Sequence, residues 1–198
     1  MRCRGGLAVL KILSAMPGTV VIVIFWAAVW VIVITTNCDH VLSGKGISNM
    51  GSEYYRFFSA GITHKNLIHL LANISAMFWV GYLYERRFGT LKFLAVGTFC
   101  AVLSMVIFLC IYRNAEGIIG GSVYNFALCS LGLTLQFLVP EFPKITLGTW
   151  SGNWLVIYLI ASNIPFLPFM NITTVILHAI AFALGIIVAL VYWFLAFR

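Results

Sequence analysis

Residues 145 to 197 form a run of 53 positions without one Asp, Glu, Lys or Arg. A second such gap separates Lys11 from Asp39. Soluble domains keep roughly a quarter of their residues charged, whereas this 198-residue chain is 9% charged and 62% hydrophobic. A water-exposed fold of this size has no interior large enough for that much apolar side chain. Apolar stretches of ~20 residues do have a stable solution in lipid, because a helix satisfies its own backbone where water is absent. The sequence therefore predicts an all-α integral membrane protein and excludes a soluble globular fold.

Hydropathy and helix breakers divide the chain into six predicted spans: 18–36, 67–83, 91–112, 122–138, 147–164 and 172–197. Pro17 suits the start of the first. Pro140 and Pro143 stop the fourth, and Pro165 and Pro168 close the fifth. Residues 1–17 then form a cytoplasmic N-terminal segment, and 18–198 a single transmembrane domain. The first apolar run is too long for a cleaved signal peptide and is expected to stay as an anchor. The net charge of +7 reflects topology rather than nucleic-acid binding, since no basic run exceeds Arg86-Arg87. With the N-terminus inside, Arg2, Arg4, Lys11, Arg86, Arg87, Lys92, Lys144 and Arg198 lie inside, and only Lys45, Arg56, Lys65 and Arg113 outside. That asymmetry places both termini in the cytoplasm. Cys3, Cys38, Cys100, Cys110 and Cys129 contain no C-x-x-C pair, so neither a disulfide framework nor a metal site is expected. The outer segment 37–66 carries Tyr54-Tyr55-Arg56-Phe57-Phe58, a composition suited to the membrane interface.

Polar groups inside spans are costly and call for an explanation. His69 and Asn73 lie four residues apart on one face of span two. His178 is the one histidine of the charge-free run. Ser122 opens span four after Gly120-Gly121. His178 lies ~9 Å into its helix, and span four is only ~25 Å long against a ~30 Å hydrocarbon layer. Its outer end is thus expected below the surface, level with His178, His69 and Asn73. At that level His178 is a base for the Ser122 hydroxyl. The Asn73 amide, a His69 ring N–H and the Ser122 backbone N–H are oxyanion donors, while Gly120 and Gly121 let the chain turn sharply into the helix. Taken singly, Ser122 reads as a self-bonded helix serine and Asn73 as inter-helix glue. The two histidines read as structural, or as axial haem ligands. Only the first reading uses all four residues, and it needs no cofactor.

The order of motifs resembles the rhomboid intramembrane serine proteases. Tyr55-Arg56, Ser59, His64, His69 and Asn73 match the family pattern in the first outer loop and second helix. Glu85-Arg86-Arg87-Phe88-Gly89 resembles its Glu-x-Arg-x-Gly, and Gly120-Gly121-Ser122 its nucleophile motif. Phe126 stands at the aromatic position one turn below. His178-Ala-Ile-Ala181, continuing to Gly185, resembles the motif of the sixth helix. Val123 and Ala181 stand where the family has glycines that let helices four and six approach.

The resemblance implies a six-helix bundle with an interfacial first outer loop, in a minimal form that fits a bacterial inner membrane. It implies a serine endopeptidase acting on transmembrane segments of other proteins near the outer face. Ser122 and His178 would form a dyad, His69, Asn73 and Gly121 the oxyanion and substrate site, and Gly120 and Phe126 its support, with Phe126 packed on the His178 ring. Entry is expected between spans two and five, with the Pro165–Pro168 loop as a cap, and Glu85 and Arg87 are expected to form an inner network. The expected partners are membrane-protein substrates and the lipid bilayer, not nucleic acid; the sequence carries no signal for oligomeric state. The competing class is an inactive rhomboid-like protein that binds transmembrane clients and tolerates Val123. It would hold Ser122 and His178 more than ~5 Å apart with Val123 between them. A transporter or channel is disfavoured by the absence of internal repeats.

Overall fold

The computed structural model describes residues 10–164 and 171–197. Six long helices carry the fold: α1 (Pro17–Thr36), α2 (Leu67–Phe88), α3 (Thr90–Ile111), α4 (Ser122–Leu138), α5 (Trp150–Ala161) and α6 (Ile172–Phe197). Three single helical turns, Asp39–Leu42, Ile47–Met50 and Arg56–Ser59, lie between α1 and α2. Among the described residues no strand forms, and one antiparallel bridge joins Gly44 to Ile118. Helices α1, α2, α3 and α6 are long and apolar enough to cross a membrane, while α4 and α5 are shorter. Val21, Ile24, Phe25, Val31 and Ile32 of α1 are exposed, an apolar face that lipid, not water, accommodates.

Two helix bounds differ from the hydropathy reading. Helix α2 runs on to Phe88, five residues past the predicted end, because Glu85 is buried rather than solvated. Gly89 then breaks it with φ 79°. Helix α5 has only 12 residues, about 18 Å of rise. Gly148 turns the chain at φ 90°, and Thr149 Oγ1 accepts the Gly152 N–H at 3.1 Å, capping a later start. Hydropathy alone does not register such a cap. At the head of α6, Asn171 Oδ1 accepts the Thr174 N–H at 2.8 Å. The Pro165–Pro168 loop, Arg2, Arg4 and Arg198 lie outside the described residues.

Helix α4 sits at the centre, with every residue from Ser122 to Gly132 buried. A helix buried on all sides need not span the lipid layer itself, which is why 17 residues suffice. Its main neighbour is α6. The approach is close because Gly185 carries no side chain: a methyl there would overlap Ser130 Oγ and the Ala127 carbonyl of α4. Ala181, one turn earlier, is also fully buried. This is the packing of small residues by which helices associate in lipid.

At the opposite end from the Ser122 terminus, Glu85 caps α1 from 67 residues away. Its Oε1 accepts the Gly18 N–H at 2.6 Å, and its Oε2 the Thr19 N–H at 2.7 Å and the Thr19 hydroxyl at 2.6 Å. Thr90 Oγ1 donates to Oε1 at 2.8 Å. The first N–H groups of a helix have no intrahelical acceptor and favour an anion. One turn before Glu85, Gly81 lets Thr19 lie against the α2 backbone. The expected Glu85–Arg87 network is corrected here: Glu85 joins α1, α2 and α3, whereas Arg87 is exposed and not among its partners.

The loop between α1 and α2 is tied by Arg56, which is buried. Its guanidinium donates to the carbonyls of Ser43 at 2.6 Å and His40 at 2.9 Å, and its Nε to Glu53 Oε2 at 2.9 Å. Ser59 Oγ adds a bond to the Leu42 carbonyl at 2.7 Å. This loop in turn holds the irregular chain before α4, through Gly44 N–H to Ile118 O at 2.7 Å and Gly120 N–H to Ala60 O at 2.9 Å. Replacing the inner carboxylate strands two amides and two hydroxyls at once. Glu85→Ala is expected to destabilise the fold by about 2–3 kcal/mol, read as a lowered thermal midpoint in detergent, with Glu85→Gln falling between it and the native chain.

Candidate active site

Ser122 is the first residue of α4 and His178 lies in the second turn of α6. The α4–α6 packing brings Ser122 Oγ to 2.9 Å from His178 Nε2. Both side chains are buried. Phe126, one turn along α4, stacks on the imidazole with ring centroids 4.0 Å apart and planes 9° from parallel. The ring is thus held on one face by an aromatic surface while its two nitrogens make edge contacts. On its other edge, His178 Nδ1 lies 3.1 Å from Asn163 Oδ1.

A cavity of about 290 Å³ reaches this pair, lined among others by His69, Asn73, Ser122, Tyr158 and His178. His69 Nδ1 faces the Lys65 N–H at 3.4 Å. A nitrogen that accepts leaves the proton on the other, so Nε2 is a donor. That nitrogen lies on the Gly120 side of the ring, 3.4 Å from where a Gly120 methyl would stand; the same methyl would sit 3.2 Å from Ser122 Oγ. The Ser122 N–H opens α4 and has no intrahelical acceptor. Two donors therefore converge beside the hydroxyl.

Asn73 is more committed. Its Nδ2 donates to the His69 carbonyl at 2.8 Å. Its Oδ1 accepts from Tyr158 OH at 2.8 Å and Asn125 Nδ2 at 3.1 Å. An amide nitrogen carries two protons, so one N–H of Asn73 remains for a ligand. Asn125 and Tyr158 were not singled out from the sequence. The signal for Asn125 was present, as an amide inside span four, three residues from Ser122. Tyr158 gave none, because a tyrosine in an apolar helix reads as an interfacial or packed aromatic.

The two glycines before Ser122 divide the work differently from the sequence reading. Only Gly120 has a positive φ, 149°. Gly121 is right-handed helical, and its lack of a side chain serves proximity: a methyl there would stand 2.8 Å from Trp26 and 2.9 Å from His64 Nε2. Val123 is fully buried. It faces the outer loop, with Cγ2 3.8 Å from where a Gly61 methyl would be. It does not separate Ser122 from His178.

Residues 51–198 match the family model described as the Rhomboid domain. The chain belongs to the rhomboid family. A curated relative, Rhomboid-type serine protease 2 of Gibberella zeae, is 27% identical over 119 residues, covering 56% of this chain and 45% of that protein. The alignment thus spans less than half the relative's length. Family membership together with the four long apolar helices makes this an integral membrane protein.

One further histidine of the rhomboid outer loop, His64, lies behind Gly121. Its ring is 5.2 Å from those of both Trp26 and His69, and among the described residues neither ring nitrogen has a hydrogen-bond partner. Burial, and then the neighbouring His69, push its pKa from 6.5 down to about 3. The unfolded chain takes up this proton as pH falls below the ordinary value, while the fold refuses it until the depressed one, so stability is present above the first and declines between the two. His64→Leu is expected to flatten that acid slope, measured as the difference in thermal midpoint between neutral and mildly acidic detergent solutions.

Proposed function

We propose that this rhomboid protein is an intramembrane serine endopeptidase acting through Ser122 and His178. The observation that carries the reading is the 2.9 Å contact of Ser122 Oγ with His178 Nε2 in the lining of a cavity that also carries His69, Asn73 and Tyr158. A hydroxyl is a weak nucleophile until a base takes its proton. In the proposed reaction Ser122 Oγ attacks a substrate peptide carbonyl as its proton passes to Nε2. The tetrahedral oxyanion is held by the Ser122 N–H, His69 Nε2–H and the second N–H of Asn73. The imidazolium returns the proton to the departing amine, leaving an ester on Ser122. A water admitted through the cavity then repeats the sequence, with Nε2 as base, and releases the acid.

The substrate is a transmembrane segment of another protein, in a partly unwound form, because a helix hides the carbonyl that Ser122 must reach. In this reading the chain has six spans, both termini in the cytoplasm and one domain over 18–198, so that the site opens near the outer face. The exposed rings of Tyr54, Tyr55 and Phe58 suit the first outer loop to the membrane interface. Entry runs between α2 and α5, which are joined by two side-chain bonds near the cavity: Trp154 Nε1 to Ser75 Oγ at 3.0 Å, and Tyr158 OH to Asn73 Oδ1 at 2.8 Å. A lateral opening there breaks these two bonds.

The inactive, client-binding alternative drew on Val123. With Val123 turned towards Gly61 and the serine–histidine contact closed, the catalytic reading is the stronger. Purified protein mixed in detergent with a transmembrane substrate is expected to cleave it, and Ser122→Ala and His178→Ala are each expected to reduce the rate by at least about 10³-fold. Product fragments resolved by mass spectrometry provide the measurement. Cleavage surviving both substitutions would remove the dyad from the reaction.

A further inference from the structure

The serine–histidine pair has a third contact that neither the family pattern quoted above nor the cavity itself required. Asn163 lies just past the end of α5, and its Oδ1 is 3.1 Å from His178 Nδ1. Its Nδ2 donates to the Leu159 carbonyl at 2.7 Å. A backbone carbonyl only accepts, so the amide nitrogen must face Leu159 and the amide oxygen must face the ring. An oxygen without a proton, set against Nδ1, requires Nδ1 to be the donor. In the neutral imidazole the proton then sits on Nδ1 and the lone pair on Nε2. The Ser122 hydroxyl can donate to Nε2 only in that tautomer.

We infer that Asn163 is a positioning residue for the proposed proteolysis, holding His178 in the tautomer and rotation that receive the Ser122 proton. The inference rests on the serine–histidine reading and deepens it. No proton moves to Asn163. The Ser122 proton goes to Nε2 and on to the leaving amine, while Nδ1–H stays on the ring and its bond to Oδ1 strengthens as the ring becomes positive. A neutral amide does this without placing a second charge in the apolar interior, where an unpaired carboxylate is expensive. Amide orienters serve histidine in the same manner in cysteine proteases of unrelated fold.

The position of Asn163 adds a consequence. The nucleophile is on α4, the base on α6, and the group that orients the base follows α5, the helix that also borders the proposed entry route. Displacing the end of α5 outward breaks the Asn163 contact, so the base is fully oriented only while Asn163 stays against His178.

The test is fluorophosphonate labelling of Ser122 in the full chain in detergent. The probe needs an activated serine but no transmembrane docking: Oγ forms a bond to phosphorus, fluoride leaves and the hydroxyl proton goes to His178. Native protein is compared with Asn163→Leu, which removes the acceptor, and Asn163→Asp, which keeps one. Asn163→Ala replaces the leucine variant if that variant does not stay monodisperse. The expected result is an about tenfold slower labelling rate for Asn163→Leu, the loss of one net hydrogen bond, with Asn163→Asp recovering to within about threefold. On a transmembrane substrate, the same loss is expected in kcat with KM unchanged. Native-rate labelling of Asn163→Leu, an equal loss in both variants, or a loss confined to KM overturns the inference while leaving the dyad standing. Failure of the native chain to label, with or without Asn163, instead overturns the serine protease reading and this inference with it.

Discussion

The approach of α6 to α4 is the constraint on which the rest depends. A serine at one helix start and a histidine on another helix share a proton only when the two axes are close enough for short side chains to meet. Lipid supplies no hydrophobic force to bring helices together, so contact must come from packing itself. Gly185 supplies it, letting α6 rest on the Ala127 carbonyl and the Ser130 hydroxyl of α4. Ala181 and Phe126 fill the space between that contact and the site. Val123 adds bulk on the side of α4 that faces the loop between α1 and α2, which is why a branched residue next to Ser122 leaves the serine–histidine contact intact.

Around this pair the fold is held by polar groups that would be a liability in lipid if left alone. Glu85 supplies acceptors to the open start of α1 and to Thr90, binding three helices at the end away from Ser122. Arg56 gathers carbonyls of the outer loop, which in turn bonds the irregular chain before Ser122. Non-helical backbone in a membrane protein survives only where protein or water satisfies it, and here the loop between α1 and α2 does so. Fixed ends and a short, buried α4 leave the cavity at the Ser122 end of the bundle. The seam between α2 and α5 carries two side-chain bonds, and Asn163, whose amide oxygen faces His178, follows α5.

How legible was this? The number and order of apolar segments followed from charge spacing and proline, and α4 and α6 took the bounds read from hydropathy. Helix α5 came out shorter because a threonine cap and a glycine turn lie inside an apolar stretch, where polarity does not mark the boundary. Ser122, His178, His69 and Asn73 stood out because each is expensive inside a span. Asn125 met the same criterion and was passed over. Tyr158 and Asn163 did not meet it: one reads as an ordinary aromatic, the other as part of a proline-rich turn. Gly121 was noticed for the wrong property, since its backbone is helical and the need for glycine arises from Trp26 and His64, residues far away in the chain.

The sequence by itself determined that this chain lives in a membrane and which few polar side chains had to be satisfied there, because the cost of a polar group in lipid depends on its type and depth. The tertiary structure alone decided how they were satisfied. Which amide faces His178, which proton of Asn73 is free, where Val123 points and which helix Glu85 caps are all matters of direction and distance between elements. Hydrogen bonds and close packing depend on those quantities to a fraction of an ångström, and residue spacing along a chain does not carry them.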